Sequence, residues 1–137
     1  MPRKRILLGK TGLDGHTVGL QVMSKAFRDA GYEVIYAGIL LKPSELVESA
    51  IQEDVDIIGV SILSGAHLEQ IGLLLRLLKE NGLEDTPLIV GGVMPEKDVQ
   101  TLKEQGMQEF FGPGASIPEI IQRVDEIIEK YAQAGSK

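Results

Sequence analysis

The 137-residue sequence contains no cysteine and no tryptophan, and phenylalanine and tyrosine together make up only 4% of it. Without cysteine there is no disulfide framework, no thiolate metal site and no cysteine nucleophile. So few aromatics leave little to stack on an isoalloxazine, which counts against a flavin. Basic residues are not in excess either. The formal net charge of −6 offers no positive face to a phosphate backbone or an anionic bilayer. No apolar run is long enough for a transmembrane helix, and the apolar part of the opening MPRKRILLGK is too short for a secretory leader. A cytoplasmic protein is expected.

What is present reads as one globular domain. A hydrophobic content of 43% with 25% charged residues suits a single core at this length. The domain is expected over residues 1–132, with a flexible tail over 133–137. Short β-rich runs, RILLG (5–9), EVIYAG (33–38), DIIGVS (56–61), PLIVGG (87–92) and EFFG (109–112), alternate with helical patterns over 18–30, 43–53, 67–81, 96–105 and 116–131. Pro43 suits a helix start, and Gly31, Gly82 and Gly106 each follow a helical pattern as C-caps. Near-continuous apolar strands imply a sheet covered on both faces. Five strand–helix units in a row predict a doubly wound five-stranded parallel α/β sheet of flavodoxin-like order 2-1-3-4-5. In that order the chain reverses between the first and third strands. The segments GKTGLDGHTVG (9–19) and SILSGAH (61–67) then face one crevice.

Several readings of the first of these segments fail. A phosphate-binding P-loop needs glycine where Lys4 stands, and glycines at 12, 15 and 19 do not match the dinucleotide fingerprint. A phospho-acceptor domain needs acidic residues at strand ends that carry Gly9 and Ser61. His16 remains. Its ordinary reading is an exposed loop histidine, but Asp14 can accept a proton from its Nδ1 and leave Nε2 as a metal donor, with Lys10 steadying the carboxylate. Two histidines and no cysteine cannot assemble a bare zinc site, so a metal held by His16 must arrive with its other ligands in place, as in a corrin or tetrapyrrole. His67, at a helix start, reads as a cap or a solvent-exposed group. Gly15, Gly19, Gly59, Gly65, Gly91 and Gly92 leave room for a bulky ligand along one sheet edge, although turn geometry explains any one of them.

The pattern Asp14-x-His16-x-x-Gly19, Ser61-x-Leu63 and Gly91-Gly92 resembles that of cobalamin-binding domains, over essentially the whole chain. The resemblance implies that His16 replaces dimethylbenzimidazole as the lower axial ligand of cobalt, with Asp14 and Lys10 behind it. It also implies that Ser61 bonds the displaced nucleotide tail, while Gly15, Thr17, Gly19, Met23, Gly59, Leu63, Gly65, Gly91, Gly92, Phe111 and Gly112 line the site. GLDGH, GGVMP and FGPG are most similar to the small cobalamin-binding subunits of acyl-CoA mutases (isobutyryl-CoA, 2-hydroxyisobutyryl-CoA and methylmalonyl-CoA). The small subunit of glutamate mutase is the nearest rival. A stand-alone cobalamin carrier or sensor and a cobalamin-free interaction module also stay open. The chain opens on its first strand, without the helical module that precedes the domain in corrinoid methyltransferases, so methyl transfer is not expected. Thr17-Val18 replaces the Asp-Arg usual in these mutases, and Ala115 a common threonine. The resemblance further implies adenosylcobalamin, a (β/α)-barrel large subunit that binds the acyl-CoA, a heterotetramer, and no catalytic acid, base or nucleophile in this chain.

Overall fold

A computed structural model of the chain describes residues 4–11, 18–62 and 67–134. Strands and helices alternate: β1 (Arg5–Thr11), α1 (Val18–Asp29), β2 (Glu33–Leu41), α2 (Pro43–Glu53), β3 (Ile57–Ile62), α3 (His67–Glu80), β4 (Leu88–Gly92), α4 (Glu96–Glu104), β5 (Glu109–Phe111) and α5 (Ile117–Ala134). All strand pairs are parallel, in the order β2-β1-β3-β4-β5, as the sequence predicts.

Strand alternation divides the core into two layers. Ile6, Leu8, Ile57 and Ile89 point to one face, where Leu20 and Phe27 of α1 and Val124 and Ile127 of α5 cover them. Their neighbours Leu7, Ile58, Leu88 and Val90 point to the other face, under Leu46 and Val47 of α2, Ile71, Leu74 and Leu78 of α3, and Val99 and Leu102 of α4. Each fully buried aliphatic side chain contributes about 1.5–3 kcal/mol of transfer free energy. The apolar stripe of α5 is thus enough to dock it.

Most element ends fall within two residues of the sequence reading, and the differences have local causes. Gly31, Gly82 and Gly106 do take positive φ values of 98°, 75° and 118° after their helices. Helix α2 instead ends at Asp54, a non-glycine residue at φ 51° whose N–H bonds the Ala50 carbonyl. Strand β2 runs three residues past Gly38, which at φ 115° accompanies a register shift against Gly9 and does not end the strand. Ser116 is the cap of α5 and lies outside the helix itself. Its hydroxyl accepts the Glu119 N–H at 3.3 Å and donates to the Glu119 carboxylate at 2.9 Å.

Candidate functional site

Strand register determines what faces the crevice between α1 and α5. Lys10 pairs with Ser61, Ser61 with Gly91, and Gly91 with Phe111, so these four form one rung across the sheet. Two residues deeper, Leu8, Gly59 and Ile89 form a second rung on the same face. The rungs lie about 7 Å apart along the strands. Below them Ile6 and Ile57 pair in the core, both fully buried.

Over these rungs lies a cavity of about 520 Å³, within the range of small-molecule sites. It sits at the carboxyl ends of the strands, where the winding reverses. Leu20, Met23 and Phe27 of α1 form one wall and Ile120 of α5 the other. Phe27 is held from behind by an edge-on contact with Tyr32, their ring centroids 5.0 Å apart. Among the described lining residues only Lys10 and Ser61 carry polar side chains, both on the upper rung. Lys10 is only 1% exposed. Neither β1 nor β3 carries a carboxylate in its last described turn of chain, so the geometry of a phospho-acceptor is missing among the described residues.

The glycines do different work. A Cβ at Gly91 would meet only the Phe111 carbonyl oxygen, at 3.8 Å, so glycine here keeps the upper rung open. A Cβ at Gly59 would stand 2.7 Å from Leu8 Cδ2, so glycine allows the lower rung its close packing. Gly92 has φ 148°, and a Cβ there would fall 1.9 Å from the Ile62 carbonyl oxygen. Only glycine fits that crossing.

Of the residues the sequence singles out, Lys10, Met23, Gly59, Ser61, Gly91, Gly92, Phe111 and Gly112 line the cavity together, and Gly19 lies in the first turn of α1. Asp14, Gly15, His16, Thr17, Leu63 and Gly65 lie outside the described residues. Sequence reasoning missed Leu8, Leu20, Phe27, Ile89 and Ile120. Two signals could have found them: the period-two alternation back from Ser61 and Gly91, and the helical stripe 20–23–27. His67, read as a cap or a solvated group, is neither of these alone. Its Nε2 lies 2.6 Å from Asp98 Oδ2, with the two side chains 13% and 11% exposed. Asp98, buried in the first turn of α4, gave no signal in the sequence. Among the described residues no three His, Asp or Glu side chains cluster as a metal cage, and no helix is long and apolar enough to cross a membrane.

A largely apolar cavity at the switch point, with Lys10 and Ser61 as its polar side chains among the described residues, defines an α/β domain with a small-molecule site at the carboxyl edge of its sheet. The chain belongs to the B12-binding domain family, whose model matches residues 4–121. Over 105 residues it is 49% identical to the 2-hydroxyisobutanoyl-CoA mutase small subunit of Aquincola tertiaricarbonis, covering 77% of each chain. It is 40% identical over 117 residues to the methylmalonyl-CoA mutase large subunit of Streptomyces virginiae, covering 85% of this chain but only 16% of that one. In fold it is similar to a cobalamin-binding protein from Desulfitobacterium hafniense, with a TM-score of 0.79 and 22% identity over 91% of this chain and 59% of that one. The residues present fit a bulky cofactor with apolar parts: Gly91 leaves open what a side chain would fill, and the walls around it are apolar.

Proposed function

We propose that this chain is the cobalamin-binding small subunit of an adenosylcobalamin-dependent acyl-CoA mutase. The observation that carries the proposal is the slot itself, two strand rungs deep, at the carboxyl edge and switch point where open α/β sheets take their ligands. The relative from Aquincola tertiaricarbonis, matched over 77% of its length, is itself a mutase small subunit, which supports a subunit role over a stand-alone carrier.

In this reading His16 would hold the cofactor's cobalt through a ring nitrogen, and Asp14 would fix its tautomer by accepting the Nδ1 proton. Lys10 keeps positive charge behind that carboxylate from the end of β1. Ser61, level with Lys10, offers a hydroxyl to the polar part of the nucleotide tail. Leu8, Phe27 and Ile89 exclude water from the base below it. The chemistry that the cofactor supplies when bound is radical initiation for the carbon-skeleton rearrangement of an acyl-CoA. A large (β/α)-barrel subunit holds that substrate, in a heterotetramer, and this chain contributes no acid, base or nucleophile. Its work is to orient the cofactor and to keep out water.

Mixing the chain with adenosylcobalamin is expected to give the absorbance of a base-off, histidine-coordinated corrinoid. His16→Ala should abolish that spectrum. A spectrum unchanged by the substitution, or one with benzimidazole still on cobalt, would refute the proposal.

A further inference from the structure

His67 and Asp98 have no assigned part in holding the cofactor, yet they form a nearly buried, charge-assisted contact between segments 31 residues apart. Their places in the chain give it meaning. The β3–β4 ladder ends at the pair Ile62 and Gly92, where both strands leave the sheet. His67 is the first residue of α3, and Asp98 is the third of α4, after Pro95 as N-cap. The contact therefore ties the two segments together again beyond the end of the ladder. Between Gly92 and Asp98 lies Val93, which is 57% exposed and lines the cavity.

Two anchors thus fix the exit of β4. At Gly92 the backbone crosses so tightly over the Ile62 carbonyl that only glycine fits. At Asp98 the carboxylate sits in the first turn of its helix, where the helix dipole favours negative charge, and the imidazole Nε2 bonds it there. The geometry points to a positioning role: the His67–Asp98 pair is a clamp that holds the β4–α4 segment, with Val93, as the wall beside the mouth of the slot. The role rests on the reading that this slot takes the nucleotide tail of cobalamin. A clamp of this kind matters to the tail that passes the wall and not to the corrin ring.

The test compares equilibrium binding of cobalamin with that of cobinamide, which lacks the tail, to the full-length chain. His67→Ala is expected to weaken cobalamin binding about tenfold, the equilibrium equivalent of one lost charge-assisted hydrogen bond, and to leave cobinamide binding unchanged. Asp98→Asn, which keeps the side-chain size, should give a smaller loss with the same selectivity for the tail. It decides the matter if circular dichroism shows that His67→Ala does not fold. Equal losses for both corrinoids, or no loss for either, would overturn the clamp while leaving the cofactor reading intact. Wild type that binds neither corrinoid would instead overturn the cofactor reading, and the clamp with it.

Discussion

Gly91 and Gly92 are adjacent and look equivalent in the sequence, yet they have opposite reasons to be glycine. At Gly92 the backbone has φ 148° and the Cβ site collides with backbone, which cannot move aside as a side chain could. Gly92→Ala is therefore expected to cost about 3 kcal/mol or more in urea unfolding. Gly91→Ala should unfold close to wild type, because its Cβ has open space on the cavity face, but should lower cobalamin affinity by filling the upper rung. Equal stabilities for the two variants would contradict this division. The pair was legible as a motif, whereas the division of roles was not, because it depends on where Ile62 of a neighbouring strand places its carbonyl oxygen.

Between elements, the sheet edge opposite the slot carries a three-residue polar contact of α5. The Tyr32 hydroxyl donates to the Asp125 carboxylate, and Lys4 Nζ reaches the same oxygen at 2.9 Å while lying 5.6 Å from the centre of the Tyr32 ring. This clip joins α5 to the start of β1 and the turn before β2, and through Tyr32 it backs Phe27 in the cavity wall. Burial raises the Asp125 pKa, but the hydrogen bonds from Tyr32 and Lys4 outweigh it and hold the carboxyl below its usual value. Burial, and then the Asp125 carboxylate, push the Tyr32 phenol far above its usual value. A depressed carboxyl stabilises the fold above its unfolded pKa of about 4 and loses that contribution as pH falls through the folded value. Asp125→Asn should thus destabilise the protein at pH 7 by about 1 kcal/mol or less, since the pair is half exposed. In denaturant titrations the gap to wild type should shrink below about pH 4. A gap that persists at low pH would show that the contact acts by packing and not by charge. The alternation of elements and nearly every helix end were readable, because caps and periodicity are local. The clip was not, since its three residues come from segments that only the fold brings together.

For the molecule as a whole, the slot lies between α1 and α5, so a ligand there bridges elements from both ends of the chain. Binding to the native state alone stabilises it by about 2.7 kcal/mol at a ligand concentration a hundred times Kd. Thermal melts should therefore shift upward by several degrees with excess cobalamin, and further as its concentration rises. A midpoint indifferent to cobalamin would mean that the cavity does not bind it.

The sequence alone determined the class of fold and the succession of its strands and helices, because hydrophobic period and turn chemistry are properties of neighbouring residues. It also marked Lys10, Ser61, Gly59 and Gly91 as belonging to one edge. Tertiary structure alone decided that Lys10, Ser61, Gly91 and Phe111 share a rung, how far the slot descends beneath it, and that His67 meets Asp98. Those facts depend on register between strands and helices far apart in the chain, which is settled by packing the whole core at once.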